Sequence, residues 1–157
     1  MADVYPASEL PIEGVSGQTI IDAMHRHGPV ETHYLPDLGT AHHAIGNALK
    51  PGDLFLTLGA GNVHECGMRI ARDLALLEDL ERTAGESLEG KLYEPMSRHT
   101  TMRVGGCAQY WLEPSTFSGM QTAVNYCRDR NIPVHVIGRG SNIICLLYTS
   151  PSPRDTR

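Results

Sequence analysis

The sequence predicts an α/β chain made of two unlike parts, and three observations carry that expectation. Strand-like apolar runs alternate with amphipathic helical stretches from Val4 to Thr83, the order of a layered α/β domain with a parallel sheet. A second strand–helix–strand series, at 109–137, follows a polar, glycine-bearing stretch at 83–92. Charge changes sign nearby: residues 1–80 hold eleven Asp/Glu and four Lys/Arg, whereas residues 81–144 hold six and seven.

Each element has a local reason. Val4-Tyr5-Pro6 ends a strand, and Pro6, Pro11 and Gly14 make a loop that cannot stay in a central ladder. Ser16 is placed to cap a helix to about His27, with Ile20, Ile21 and Met24 on one face, and Gly28-Pro29 stops it. Residues 30–35 alternate as a strand does. Asp37 caps a second helix to about Leu49, and Lys50-Pro51-Gly52-Asp53 turns. Leu54-Phe55-Leu56-Thr57-Leu58 is an apolar run suited to a parallel strand buried on both faces. Gly59-Ala60-Gly61-Asn62 then leads into a helix from about Val63 to Thr83. Residues 83–92 lack periodicity and read as a connector. Beyond it come a strand at Gln109–Glu113, a helix capped by Ser115 that runs to about Arg130, a turn at Asn131-Ile132-Pro133, and a strand at Val134–Ile137.

Composition excludes several classes. Hydrophobic residues make up 41% and charged residues 20% of 157, enough apolar material for a core. A net charge of −5 argues against a protein that coats nucleic acid. No apolar run approaches the length of about 18 residues that a membrane span needs. Met1-Ala2-Asp3-Val4 has neither a charged leader nor an apolar core of signal type, so a cytoplasmic location is expected. Cys66, Cys107, Cys127 and Cys145 form no C-x-x-C pair and are expected to be reduced thiols.

Two constellations invite a metal or phosphate reading. Six of the eight histidines lie in the first 64 residues. His25 with His27, and His42 with His43, have spacings that diverge on a helix, so solvated or capping histidines are expected and no metal site. The Gly-Ala-Gly-Asn turn sits at the carboxyl end of a strand, where open sheets bind ligands. It lacks the third glycine of the dinucleotide fingerprint and the Gly-Lys-Ser/Thr of a P-loop, so a tight structural turn is the stronger expectation.

Tyr5-Pro6-Ala7-Ser8-Glu9-Leu10-Pro11-Ile12-Glu13-Gly14 resembles a stretch late in the UDP-N-acetylmuramate–L-alanine ligases. Asp53 through Asn62 resembles the final strand and turn of the same ligases, in family order and at about the family spacing. The resemblance covers about residues 1–80. It implies the end of a Rossmann-like C-terminal domain that closes over ATP and helps seat the incoming amino acid. The family's Gly-Lys-Thr loop, Mg²⁺ ligands and UDP-binding domain do not occur in this sequence. Met1 is therefore expected to be internal to a longer reading frame or the start of a truncated gene.

Gly138-Arg139-Gly140-Ser141-Asn142 has chemical content of its own. Two glycines let successive N–H groups converge as an anion-binding nest, and Ser141 and Asn142 add short hydrogen-bonding side chains. From the loop alone, an ordinary glycine-rich turn is an equal reading. A nucleophilic Ser141 is not expected, because G-x-G-S-N is not the G-x-S-x-G elbow.

That loop belongs to a second resemblance. Pro95-Met96-Ser97-Arg98-His99-Thr100-Thr101-Met102-Arg103-Val104-Gly105-Gly106-Cys107-Ala108, followed by Val136 to Asn142, is similar to the start of the UDP-N-acetylenolpyruvoylglucosamine reductases, also called UDP-N-acetylmuramate dehydrogenases. The resemblance covers about residues 90–144 and implies a partial FAD-binding domain of the vanillyl-alcohol-oxidase (PCMH) type. It implies that Gly138, Arg139, Gly140, Ser141 and Asn142 cradle the FAD pyrophosphate, with Arg103, Gly105 and Gly106 near the flavin. In that family NADPH reduces FAD, which reduces the enol ether of a UDP-linked sugar. The family's proton-donating serine and its stabilising glutamate and arginine lie further along. No catalytic residue and no metal ligand is assigned here.

The resemblances give an α/β fold class, with a partial Rossmann-like ligase domain followed by a partial FAD-binding α+β domain. The expected boundaries are 1–82 for the ligase end, 83–92 for the linker, 93–144 for the reductase start and 145–157 for the tail. Cys145 through Asp155 resembles one reading frame of a transposase adapter used in sequencing libraries; a Ser/Pro-rich disordered tail is the alternative. The expected function is peptidoglycan precursor synthesis, by a piece of a ligase–reductase fusion that is inactive alone. The parents would use FAD, NADPH, ATP and Mg²⁺ on UDP-sugar substrates, with no nucleic-acid or membrane partner. A non-catalytic flavin- or nucleotide-binding module and a non-functional truncated frame are the rivals. Exposed sheet edges are expected to make the chain marginally stable.

Overall fold

The computed structural model describes residues 1–5, 10, 12–50 and 52–141. Pro6 to Glu9, Pro11, Pro51, Asn142 and the tail at 145–157 lie outside the described residues. The elements are α1 (Gly17–His27), α2 (Leu38–Ala48), α3 (Val63–Ala84), β1 (Leu88–Pro95), β2 (Cys107–Pro114) and α4 (Phe117–Asp129). The chain divides into two compact units, at Arg72/Asp73 within α3. Helices mixed with a two-stranded sheet are compatible with an α/β class.

In the first unit the helix caps fall where the sequence puts them. Ser16 accepts from the Thr19 N–H, and the Thr19 hydroxyl accepts in turn from the Ser16 N–H, a reciprocal capping box. Asp37 accepts from the Thr40 hydroxyl, the main reason its carboxyl is held below the usual carboxylate range, and from the Gly39 N–H. Ile21, Ala41, Cys66 and Ile70 are buried.

The expected parallel sheet is not found among the described residues. The Met1 ammonium donates to the His33 carbonyl, and the Leu35 N–H donates to the Met1 carbonyl at 2.8 Å, a strand-like contact too short to be a ladder. Residues 54–58 carry no ladder, and their burial on both faces is also corrected. Leu54, Leu56 and Leu58 are 90%, 65% and 80% exposed, while Phe55 and Thr57 lie against Gly67 of α3. The physical reason is that a parallel strand needs a neighbour about 4.8 Å away and a second helical layer to cover its other face.

The second unit is built on a hairpin. β1 pairs antiparallel with β2, from Leu88↔Pro114 to Pro95↔Cys107. Half of the segment read as a connector is therefore strand. Its polar residues face solvent, where Lys91 approaches Glu89 and Glu113 at 3.6 and 3.8 Å. Its leucines face inward: Leu88 joins Leu80, Ala123 and Tyr126 in the core, with Leu76, Ala84 and Leu112 packed against them. Gly90 packs closely on α3: a Cβ there would lie 2.4 Å from Leu77 Cδ1, so the Leu77 side chain would have to shift. α4 starts one residue later than expected, with Thr116 as its cap, and Ser115 instead donates to the Ser87 carbonyl. The expected strand at 134–137 carries no ladder pairing.

Polar groups tie α3 to this hairpin and to α4. Asp73, fully buried, accepts from the Tyr93 hydroxyl at 2.7 Å, Gln109 Nε2 at 2.9 Å and the Tyr110 hydroxyl at 3.1 Å. Three donors on two oxygens suit the ionised, acceptor-only carboxylate. Tyr93 takes a left-handed φ of 52°, uncommon for a bulky side chain, and is itself fully buried. Asp79 accepts from the Tyr126 hydroxyl and pairs with Arg82 and Arg130, and Arg130 lies 3.5 Å over the Tyr126 ring. The Tyr126 hydrogen bond is the main reason the Asp79 carboxyl stays below its usual range. Burial pushes the Tyr126 phenol up.

Candidate functional site

Within the second unit two loops meet. The first, residues 99–106, closes on itself: the Arg103 N–H donates to the Thr100 carbonyl at 3.0 Å, and the buried Thr100 hydroxyl donates to the Val104 carbonyl at 3.0 Å. The Met96 N–H donates to the Gly106 carbonyl at 2.8 Å and shuts its mouth. Arg103 and Gly105 take φ of 52° and 137°, values that let the chain double back.

The second loop is the glycine-rich turn. Gly140 is buried with a φ of 65°, and its carbonyl accepts from the Thr101 N–H at 3.2 Å. A Cβ on Gly140 would stand 1.9 Å from the His99 carbonyl oxygen and 3.3 Å from Thr100 Cα, both backbone atoms. Only glycine fits there. At the other end of the turn a Cβ on Gly138 would meet nothing within 4 Å. Arg139 and Ser141 are exposed. The turn is thus anchored at Gly140 and open at Gly138.

The sequence-predicted residues therefore fall into three groups. Thr100–Gly106, including Arg103, Gly105 and Gly106, and the turn Gly138, Arg139, Gly140 and Ser141 occupy two loops that share the contact at Thr101 and Gly140. Asn142 lies outside the described residues. The Gly59–Asn62 turn belongs to the first unit, and there the Tyr5 ring covers Gly61: a Cβ on Gly61 would lie 2.9 Å from Tyr5 Cδ2. Asn62 starts α3 by accepting from the Glu65 N–H at 3.0 Å.

Residues beneath the first loop escaped sequence reasoning. The His99 ring stacks on Trp111 at 3.9 Å between centroids, and His99 Nε2 is 3.0 Å from Glu94 Oε1. Glu94 is 6% exposed and also receives Arg98 at 3.4 Å. The only sequence signal was an acid, a histidine and an indole near one motif, and that pattern carries no fixed spacing.

The histidine expectation needs one correction. His42 is 2% exposed, neither solvated nor capping, because α2 turns that face into the first unit. Among the described residues no group of three His, Cys, Asp or Glu converges as metal ligands. Cys66, Cys107 and Cys127 are free thiols, each pushed up by burial. No helix among the described residues is long and apolar enough to cross a membrane.

No protein-family model matches the chain, and no solved structure matches it. Curated proteins do. Among those that it resembles are ligases, in particular UDP-N-acetylmuramate–L-alanine ligases. The one from Desulfotalea psychrophila is 40% identical over 72 residues, 46% of this chain and 16% of that protein. The one from Oleidesulfovibrio alaskensis is 42% identical over 67 residues, 43% of this chain and 15% of that protein. The one from Mycobacteroides abscessus is 46% identical over 72 residues, 46% of this chain and 14% of that protein. The chain thus matches only a small part of the length of each.

Proposed function

We propose that this chain joins the end of a UDP-N-acetylmuramate–L-alanine ligase to the flavin-binding start of a UDP-N-acetylenolpyruvoylglucosamine reductase, both serving peptidoglycan precursor synthesis. The ligase half is supported by relatives at 40–46% identity over less than half of the chain. ATP, Mg²⁺ and L-alanine addition are assigned to the complete ligase and to none of the described residues. The reductase half is supported by one observation above all: the two loops that carry its motif dock on each other at Thr101 and Gly140.

Three features support a pyrophosphate site. The turn is fixed on one side, has open space at Gly138, and carries one left-handed glycine of the kind that makes N–H groups converge. Gly138 to Ser141 would hold the FAD pyrophosphate through backbone N–H groups, with Asn142 beside them by resemblance. Arg103, Gly105 and Gly106 would border the flavin. Bound FAD supplies the two-electron transfer from NADPH to the enol ether of the UDP-sugar. A cytoplasmic site of action and UDP-sugar partners belong to this reading.

Flavin binding tests it. Purified chain mixed with FAD and freed of excess by gel filtration should retain flavin absorbance at a one-to-one ratio. Retained flavin would support a flavin-binding module, and colourless protein would overturn flavin binding by this chain and favour an inactive fragment or a truncated reading frame.

A further inference from the structure

We propose that His99 is a positioning residue for the glycine-rich turn: its ring, clamped between Trp111 and Glu94, fixes the backbone on which Gly140 docks. The clamp has two independent arms. Stacking on Trp111, with the planes 25° apart, sets the tilt of the ring, and the 3.0 Å contact of Nε2 with Glu94 sets its rotation. Both partners are on the hairpin, Glu94 in β1 and Trp111 in β2, so the ring is held by the most regular structure of the unit.

The backbone of the same residue makes the dock. The His99 N–H donates to the Met96 carbonyl at 3.0 Å, and the His99 carbonyl is the atom that leaves no room for a Cβ on Gly140. The next residue, Thr100, closes the loop through Val104, and Thr101 donates to the Gly140 carbonyl. A shift of the His99 backbone therefore moves the surface that holds the turn among the described residues. Its functional meaning rests on the reading that residues 138–142 cradle a pyrophosphate; the positional effect does not.

The test uses the full chain and the exchange rate of the Thr101 amide, read by NMR, with β1–β2 ladder amides as the internal control. His99→Ala should speed Thr101 exchange roughly tenfold and leave the ladder amides unchanged, because only the local dock opens. His99→Gln keeps an N–H that can reach Glu94 and should restore exchange to within about threefold of the parent rate. Unchanged Thr101 exchange in His99→Ala would overturn the proposal. So would a uniform rise that includes the ladder, since that marks a merely structural residue. FAD titration of the same proteins separates the two ideas. A parent chain that ignores FAD, with the local exchange pattern intact, removes the pyrophosphate reading and supports the positioning role. A parent chain that binds FAD, with His99→Ala weakened roughly tenfold and His99→Gln recovered, supports both.

Discussion

Replacing Asp73 with Ala should destabilise the second unit by about 3–4 kcal/mol, the largest effect of any single substitution considered. The carboxylate collects three hydrogen bonds from Tyr93, Gln109 and Tyr110. Removing it takes an acceptor from the Tyr93 hydroxyl of a fully buried residue and from the hydroxyl of half-buried Tyr110, whereas Gln109 is exposed and can turn to water. Taking the acceptor from a buried hydroxyl costs about 1–3 kcal/mol. A second contribution comes from the backbone. Tyr93 sits at a φ of 52°, a conformation that costs on the order of 1–3 kcal/mol and persists only when its surroundings over-determine it. The bond to Asp73 is part of that over-determination. The chain has one tryptophan, Trp111 on β2, so its fluorescence reports this unit during urea unfolding. Asp73→Asn keeps an acceptor but turns an NH₂ toward the same donors, and should fall between the parent and Asp73→Ala. A loss below about 0.5 kcal/mol for Asp73→Ala would show that the cluster is ornamental.

Gly140→Ala should be the second largest change, and Gly138→Ala should be nearly silent. At Gly140 the added methyl meets backbone on the facing loop at 1.9 Å, and the residue must also hold a left-handed φ of 65°. A left-handed conformation costs a non-glycine about 1–2 kcal/mol, and overpacking against an atom that cannot swing aside costs a further 1–3 kcal/mol. The turn should leave its dock rather than bear the sum. At Gly138 there is nothing within 4 Å to meet. Thermal melts of the two variants, with Thr101 amide exchange as the local readout, check the contrast. Equal behaviour of the two alanines would contradict the docked geometry.

Much of the helical structure was legible in the residues. Ser16 and Asp37 cap where side-chain chemistry says they should, because an N-cap depends on local hydrogen bonding alone. β1 was hidden for the opposite reason. Its outward residues are Glu89 and Lys91, and Gly90 faces the helix, so composition reads as loop while Leu88 and Leu92 keep a strand's two-residue period. The apolar run at 54–58 announced a buried strand, but apolar composition says only that a face wants cover. The exposed Leu54, Leu56 and Leu58 show that the described residues do not supply it.

The site was half legible. Glycines and a Thr-Thr-Met-Arg motif flagged the two loops, since unusual backbone needs unusual residues. Their contact spans residues 101 and 140, and no local pattern encodes a pairing across that distance. Asp73 was equally silent, because it reaches Tyr93, Gln109 and Tyr110 from a helix that reads as ordinary and amphipathic. The helix itself changes the view of the junction. The last part of α3, from Asp73 to Ala84, belongs to the second unit and gives it Leu80, so sequence resemblance and compact units divide the chain at different places.

The central claim is that one reading frame carries a ligase end and a reductase start. Sequencing single genomic DNA molecules across codons 1–141 tests it most directly. One uninterrupted frame from the Leu54–Asn62 segment through the Gly138–Ser141 turn is the predicted result. A stop codon or a frame change between codons 62 and 95 would contradict it.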